Sequence, residues 1–369
     1  MTGRHGMHLA IVTKDLTGGG AARAMVKLAN GLAARHRVEL VLVRAVGPYL
    51  EEVSPEVEVV DLGARRTIAA IPRLVGYLRK DPPHAMLSAL RHVNVMSIIS
   101  RLLARASCCL VVSERNMISV SVRSSPRWRD RLFVILIPLL YRFADAIVAI
   151  ASDIRDELQT RFRISSQRIH LIYNPIVGDE LFARAKEAVD EPWFSEEVPT
   201  VLAVGRLTEH KNHQLLVKAF RRVLEEQQAR LVILGEGPER QNLSKLVREL
   251  GIGDEVAMPG FVPNVYKFMS RSDLFVHPSR WEGLPGVLIE AMACGLPIVA
   301  SDALGGSAEV LAHGRHGRLV EPDNEAALVE AILDGLRGRI PPADRSGWAR
   351  FEQASVVSQY EALLRRCAG

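Results

Sequence analysis

The chain has 369 residues, a length that suits two domains of ordinary size. It is 48% hydrophobic and 24% charged, as expected of a globular protein, and it contains no uncharged apolar stretch of about 18 residues that would predict a spanning helix. Residues 1–180 carry 25 Lys and Arg against 16 Asp and Glu, whereas the remainder carries 22 against 26. The basic half predicts an anionic partner such as a diphosphate or a lipid surface, and the lack of any nucleic-acid-binding motif argues against nucleic acid.

The N-terminus and the cysteines bear on where the protein acts. The segment MTGRHGMHLAIV passes directly into an apolar run and lacks the layout of a signal peptide. The cysteines show neither a CxxC motif nor the spacing of a zinc site, which predicts reduced thiols in a cytoplasmic protein. They are Cys108, Cys109, Cys294 and Cys367.

Short apolar runs alternate with amphipathic stretches along the chain. A helix is predicted at 21–35, and the Pro-rich, acidic stretch 176–198 predicts a linker. Alternating strands and helices are typical of parallel sheets covered on both faces, and two such series predict two doubly wound, Rossmann-like α/β domains facing across a cleft. The predicted strands are 8–12, 38–43, 57–60, 86–89, 110–113, 146–150 and 170–173 in the first series, and 200–204, 231–234, 256–258, 274–277 and 298–300 in the second.

The most informative segment runs from His277 to Asp302. Glu282 and Glu290, with seven residues between them, bracket the sequence Gly283-Leu284-Pro285-Gly286. A predicted strand precedes them and a helix is predicted from about 287 to 294, which puts Glu282 in the connecting loop and Glu290 about one turn into the helix. Amides near the start of a helix lack intrahelical partners, so this loop suits a phosphate or a sugar hydroxyl.

This segment resembles the donor-sugar motif of family 4 glycosyltransferases, the large retaining family with the GT-B fold. Besides Glu282 and Glu290, the small-residue stretch AMACG and the following Leu296-Pro297 match the family's pattern. The resemblance covers nearly the whole chain. It implies transfer of a sugar from a nucleotide donor to an acceptor hydroxyl, with retention at the anomeric carbon.

The resemblance also implies roles for two cations and for the two carboxylates. Arg206 and Lys211 match the residues with which the family holds the donor diphosphate, and cations there would stabilise the charge that develops on the leaving group. Glu290 would hold the ribose hydroxyls and Glu282 the hydroxyls of the transferred sugar. The chain contains no DxD sequence, so we expect an enzyme that needs neither metal nor another cofactor.

Glycine-rich turns extend the predicted binding site. The turn that begins at Gly235 resembles the family's GxGP turn near the nucleotide, and the backbone after Gly260 contacts the base in relatives. The loop Gly18–Gly20 suits a phosphate or a sugar ring. The predicted nucleotide-sugar-binding residues are Gly19, Gly20, Gly205, Gly235, Gly237, Phe261, Val262, Leu284, Pro285, Gly286 and Glu290.

Two residues of the first half are further catalytic candidates. His92 and Glu114 follow predicted strands, and several relatives place a histidine or an acid from these loops near the acceptor hydroxyl or the donor sugar. The alternatives are a loop histidine with an ordinary hydrogen bond and a surface ion pair.

The segment Arg127–Phe143 mixes cations with a dense apolar run that is too short to span a membrane. It suits peripheral contact with the cytoplasmic membrane face, where a lipid-linked acceptor would lie. The alternative is a buried crossover helix kinked at Pro138.

The resemblance implies an acceptor-side domain at 1–176, a nucleotide-sugar-binding domain at 177–347, and a terminal helix at 348–369 that packs back toward the first domain. The expected donor is a UDP-sugar carrying an N-acetylhexosamine or hexose, and the expected acceptor is a glycan or a lipid-linked oligosaccharide. The alternatives are a non-catalytic partner subunit that binds nucleotide sugar and a sugar-nucleotide epimerase of the same fold. A nicotinamide-dependent oxidoreductase is disfavoured because Arg23 stands where the dinucleotide fingerprint would need glycine.

Overall fold

The computed structural model describes residues 6–123, 137–189, 192–194 and 198–369. The chain divides into two compact units. One comprises Met1–Ile176 together with Phe351–Gly369, and the other comprises Val177–Arg350. Each unit is built around its own sheet, and both sheets are parallel throughout.

The first sheet has seven strands in the order β3-β2-β1-β4-β5-β6-β7. Every residue of the central strands β1, β4 and β5 is buried, as expected for a parallel sheet with both faces covered. The strands are β1 His8–Thr13, β2 Arg37–Leu42, β3 Val57–Asp61, β4 Ala85–Ala89, β5 Cys109–Glu114, β6 Ala146–Ala149 and β7 Ile169–Leu171.

The second sheet has six strands in the order β10-β9-β8-β11-β12-β13. The order reverses between β8 and β11, and ligands of doubly wound proteins bind at such a switch point. The strands are β8 Thr200–Val204, β9 Arg230–Leu234, β10 Val256–Gly260, β11 Leu274–His277, β12 Ile298–Ser301 and β13 Arg318–Val320.

The α-helices connect and cover the strands. None of the helices in the described part of the chain is both long and apolar enough to span a membrane. Those with both ends in the described residues are, in chain order, α1 Gly20–Ala33, α2 Ile71–Lys80, α3 Arg91–Ala104, α4 Ile118–Arg123, α5 Ser152–Thr160, α6 Asp179–Ala185, α7 His213–Val223, α8 Arg240–Glu249, α9 Tyr266–Met269, α10 Gly286–Ala293, α11 Ser307–Val310, α12 Glu325–Leu336, α13 Arg345–Trp348 and α14 Gln353–Ala368.

The terminal helix α14 belongs to the first unit and packs against α1. Gly31 in α1 permits this close approach, because a Cβ there would lie only 2.7 Å from a methyl carbon of Val357. The helix buries an apolar stripe at Val356, Tyr360 and Leu364. The helix begins at Gln353 rather than near 348, because Trp348 ends the separate helix α13 and a 3-10 turn follows it.

The structure differs from the sequence analysis at three further points. The stretch 176–198 is not a plain linker, since it contains α6 and a 3-10 turn at Pro192–Phe194. The edge strand β13 was not predicted, because three residues carry too little periodicity to be recognised. Cys109 and Cys367 are not reduced thiols but form a disulfide, with their Cα atoms 5.8 Å apart, that ties α14 to the start of β5. Cys108 and Cys294 are free.

The predicted membrane-facing segment Arg127–Phe143 is described only in its last part. Residues 127–136 lie outside the described residues, and 137–141 are helical. Leu139 and Phe143 are exposed. Peripheral membrane contact therefore stays a prediction.

Candidate active site

The loops after β8 and β11 emerge at the same edge of the second sheet. These strands are parallel neighbours, with Leu274 paired to Val201. The loop after β8 carries Arg206 and Lys211, and the loop after β11 carries Glu282. The carboxyl edge of a parallel sheet is where doubly wound folds place their ligands.

Lys211, Glu282 and His277 form one buried polar cluster. Lys211 Nζ lies 2.5 Å from Glu282 Oε1, and His277 Nε2 lies 2.9 Å from the same oxygen. Ser279 Oγ is 3.1 Å from His277 Nε2. The side chains of Lys211 and Glu282 are 16% and 11% exposed, so solvent screens their attraction only in part.

The protonation of this cluster follows from its partners. Burial alone would raise the pKa of Glu282, but Lys211 and the hydrogen bond from His277 outweigh it and hold the pKa well below its usual range. Burial lowers the pKa of His277, an effect that Glu282 opposes in part. Burial, reinforced by Lys211, also lowers the pKa of the neighbouring His213 to about 3. At neutral pH the cluster is a lysine cation and a carboxylate surrounded by neutral imidazoles.

A ring stack joins the same two loops beside the cluster. The rings of His210 and Trp281 are stacked with centroids 4.3 Å apart. The Arg280 amide donates to the His210 carbonyl at 2.8 Å, and Arg280 Nη1 donates to the Glu209 carbonyl at 3.0 Å. These contacts hold the residues that flank Lys211 against those that flank Glu282.

Glu290 lies one turn into α10 and has a defined hydrogen-bond partner. The Tyr266 hydroxyl donates to Glu290 Oε1 at 3.0 Å. The Tyr266 ring is fully buried at the start of α9. A phenol that anchors one oxygen would fix the orientation of the carboxylate toward a ligand.

The loop after β12, which was not among the predicted site segments, supports Glu282 through backbone hydrogen bonds. The Glu282 amide donates to the Leu304 carbonyl, and the Gly306 amide donates to the Gly283 carbonyl, both at 2.9 Å. Gly305 has a φ of +107°, and a Cβ on it would lie 2.1 Å from the Glu282 carbonyl oxygen. The Gly-Gly pair in the loop after the predicted strand 298–300 was the signal that could have revealed this contact.

The predicted glycines of the second unit are placed where loops cross closely. A Cβ on Gly235 would lie 2.0 Å from the Gly205 carbonyl oxygen, and one on Gly237 would lie 2.2 Å from that of Leu207. Glycine is needed at both positions because the loops pack too closely at the sheet edge to leave room for a side chain. Of the other predicted contacts, Arg206 and Phe261 are exposed, Val262 and Gly286 are half-buried, and Leu284 and Pro285 are buried at the start of α10.

In the first unit the glycine loop is open. Gly18 and Gly19 have φ values of +137° and +87°, and a Cβ on Gly18, Gly19 or Gly20 would have no neighbour within 4 Å. His92 is exposed in the first turn of α3 rather than in a loop. Its pKa is nevertheless lowered, by desolvation first and then by Lys14 and Arg91.

Glu114 is enclosed in the first unit and forms no ion pair with any residue that the structure describes. It is the last residue of β5 and is 1% exposed. The Tyr141 hydroxyl donates to it, as does Asn94 Nδ2 at 3.3 Å. Burial raises its pKa despite these hydrogen bonds. Its predicted part in catalysis stays a prediction, and the contacts seen are those of an interior polar network.

Two family models match the chain in succession. Residues 18–179 match Glycosyltransferase Family 4, and residues 185–348 match Glycosyl transferases group 1. With its two Rossmann-like sheets, the chain belongs to the family 4 glycosyltransferases of the GT-B fold.

Individual relatives agree with this assignment. The chain is 31% identical to the Campylobacter jejuni N-acetylgalactosamine-N,N'-diacetylbacillosaminyl-diphospho-undecaprenol 4-alpha-N-acetylgalactosaminyltransferase, over 66% of this chain and 64% of that enzyme. The match to two other curated relatives covers 52% and 59% of their own lengths. A second C. jejuni enzyme, a GalNAc-alpha-(1->4)-GalNAc-alpha-(1->3)-diNAcBac-PP-undecaprenol alpha-1,4-N-acetyl-D-galactosaminyltransferase, is 27% identical over 88% of each chain.

Among solved structures, Anabaena Alr3699/HepE in complex with UDP and glucose superposes with a TM-score of 0.82. The match covers 98% of this chain and 100% of that one, at 20% sequence identity. The likeness shows that the two proteins share a fold.

Proposed function

We propose that the protein transfers a sugar, an N-acetylhexosamine or a hexose, from a UDP-linked donor to a hydroxyl of a glycan or lipid-linked oligosaccharide. The transfer would proceed with retention and without a metal ion. The observation that carries the proposal is the largely buried pairing of Lys211 with Glu282 at the carboxyl edge of the second sheet.

This pairing suits a ligand with an anionic and a hydroxylated part. A donor diphosphate would compete with Glu282 for the ammonium of Lys211, and a cation there stabilises the leaving group as the glycosidic bond breaks. Glu282 stays ionised, so it accepts hydrogen bonds from sugar hydroxyls. Exposed Arg206 on the same loop would add a second cation that can fork onto two phosphate oxygens.

The nucleoside would lie at Glu290. Its carboxylate, held by the Tyr266 hydroxyl, offers acceptor oxygens to two ribose hydroxyls. The backbone at Phe261 and Val262, directly after β10, is the proposed place of the base.

The names of relatives support the finer parts of the proposal. Two similar C. jejuni enzymes are named for transfer of N-acetylgalactosamine to undecaprenol-diphosphate-linked saccharides. The Anabaena protein of the same fold was solved with UDP and glucose. Family membership supports retention, with the departing diphosphate as the group that would help deprotonate the acceptor. A lipid-linked acceptor would bring the protein to a membrane surface.

The test is a thermal-shift panel of UDP, GDP, ADP and a set of UDP-sugars, run on the wild type and on Glu290→Ala. We expect UDP and one UDP-sugar to raise the melting temperature of the wild type and to shift the variant much less. A shift with GDP or ADP alone would overturn the proposed donor. An equal UDP shift in Glu290→Ala would overturn the ribose role.

A positive panel is followed by incubation of the selected donor with undecaprenol-diphosphate-linked saccharides. Formation of a product lengthened by one sugar supports transfer. Donor binding without any product would favour a non-catalytic nucleotide-sugar-binding subunit, and interconversion of the donor sugar would favour an epimerase.

A further inference from the structure

We propose that His277 is a positioning residue: its Nε2–H fixes the carboxylate of Glu282 beside Lys211, so that the second carboxylate oxygen faces the donor sugar. The inference deepens the proposed transferase function and rests on it. His277 itself would touch neither the donor nor the acceptor.

The geometry makes His277 a rigid hydrogen-bond donor. It is the last residue of β11, it is 2% exposed, and its backbone pairs with Ala300 of β12. Its ring is nearly parallel to that of Phe275, at an interplanar angle of 15°. A side chain fixed on a buried central strand holds its partner more tightly than a side chain on a loop does.

The partners determine which ring nitrogen carries the proton. Nε2 lies 2.9 Å from Glu282 Oε1, and an ionised carboxylate can only accept hydrogen bonds. Nε2 therefore carries the hydrogen, and Ser279 Oγ at 3.1 Å accepts a share of it. Because burial keeps the imidazole neutral, His277 orients the carboxylate without cancelling its charge.

Both His277 and Lys211 contact the same oxygen, Oε1 of Glu282. The other oxygen, Oε2, is then the acceptor available to a sugar hydroxyl. When a diphosphate draws Lys211 away, the bond to His277 would still hold the carboxylate in place. His277 would thus keep Glu282 oriented through the step in which its cation partner changes.

A matched control exists in the first unit. His36 is fully buried, and its Nε2 lies 3.0 Å from the Glu361 carboxylate. Its loss removes a buried histidine–glutamate contact that is only 0.1 Å longer than that of His277, at a place remote in sequence from the predicted donor loops. Any effect that His277 and His36 share is structural, and any effect that only His277 shows belongs to the site.

The first test is nitrogen NMR of histidine-labelled protein, which needs no donor. We expect His277, assigned by comparison with His277→Phe or His277→Gln, to be the Nε2–H tautomer. Its nitrogen signals should shift in Glu282→Gln and stay unchanged in His36→Phe. An Nδ1–H tautomer, or signals unaffected by Glu282→Gln, would overturn the proposal. The result stands even if His277→Phe does not fold.

The second test separates nucleotide binding from sugar binding, with UDP and UDP-N-acetylgalactosamine as probes together with any other UDP-sugar that the panel selects. In His277→Phe we expect the affinity for UDP to stay within about twofold, while turnover falls about tenfold or more, as for loss of a hydrogen bond to a charged group. His277→Gln, which keeps an N–H donor, should recover part of the loss. His36→Phe should lower only the melting temperature.

The outcomes distinguish this proposal from the one on which it rests. Equal losses of UDP affinity and turnover in His277→Phe, or no loss of either, would overturn the positioning role while leaving the transferase function intact. If the wild type neither binds a UDP ligand nor turns one over, the proposed function fails, and the positioning role toward a donor sugar fails with it. The NMR result would still report the hydrogen bond itself.

Discussion

At the scale of single residues, the candidate site depends on a cation held next to a carboxylate in a partly buried place. Lys211 and Glu282 are 71 positions apart in the chain and meet because β8 and β11 are neighbours. Burial of either charge alone would be unfavourable, and the pairing offsets that cost. The pair therefore holds the lysine cation at a place where an anionic donor could replace Glu282 as its partner.

Replacing Lys211 tests whether its charge is used on the diphosphate. Lys211→Ala should lower turnover by about 100-fold or more, the scale of losing one preorganised group that stabilises transition-state charge. Turnover with the donor found in the panel is the measurement. The control is Lys218→Ala, because Lys218 is exposed on α7. Near-wild-type turnover in Lys211→Ala would remove the diphosphate assignment.

The lowered pKa of Glu282 gives stability a pH dependence of definite sign. An unfolded glutamate has a pKa of about 4.3, and the folded value lies below it, so the contribution is complete above that pH and is lost as the pH falls toward the folded pKa. The wild type should therefore lose stability relative to Glu282→Gln below about pH 4. Urea unfolding of both proteins across the acid range measures this. A difference independent of pH would contradict the lowered pKa.

At the scale of elements, close contacts between loops fix the site. The loop after β12 holds the Glu282 loop by two backbone hydrogen bonds, and Gly305 leaves no room for a side chain between them. The predicted strands recur with their boundaries shifted by no more than two residues, since apolar runs mark buried strands well. The backbone hydrogen bonds between the Glu282 loop and the loop after β12 could not be predicted, because the order of the strands determines whether these two loops are close.

Gly305→Ala should destabilise the protein and also impair the site. Its φ of +107° disfavours a side chain, and the added Cβ would press on the Glu282 carbonyl, so we expect a loss of about 1–3 kcal/mol in the free energy of unfolding. Gly314→Ala is the control, because Gly314 has a φ of +94° but its nearest neighbour atom would be 3.8 Å away. Equal turnover in the two variants would contradict the support role.

The disulfide between β5 and α14 should stabilise the first unit. It joins residues separated by 258 positions, and we expect its reduction to lower the free energy of unfolding by about 2–5 kcal/mol. Melting temperatures with and without dithiothreitol measure the effect. Cys367→Ser should melt like the reduced wild type and should not respond to the reductant. A response of that variant would point to another cause.

At the scale of the whole molecule, two sheets of the same parallel class divide the chain into two units. The second unit carries the predicted donor residues, and the first carries the glycine loop and the excess of positive charge. The family assignment applies to both parts, since one family model matches each.

We expect turnover by the complete enzyme to be independent of metal ions. Because Lys211 and Arg206 would supply the positive charge, dialysis against EDTA should leave turnover unchanged. The control is addition of Mg²⁺ or Mn²⁺ to the dialysed protein. Loss of turnover with EDTA that Mn²⁺ restores would show that a metal ion takes part.

The fold class, the family and most residues of the candidate site could be predicted from the sequence alone. Strand periodicity and the spacing of Glu282 and Glu290 are local features of the chain, so they could be recognised without coordinates. The folded structure was needed to show which oxygen of Glu282 contacts Lys211 and His277, and that Tyr266 holds Glu290. It was also needed to show that Gly305 supports the Glu282 loop, that Glu114 is buried, and that Cys109 pairs with Cys367 within the first unit. These contacts join residues far apart in the chain, and the order of parallel strands, which no local pattern encodes, brings them together.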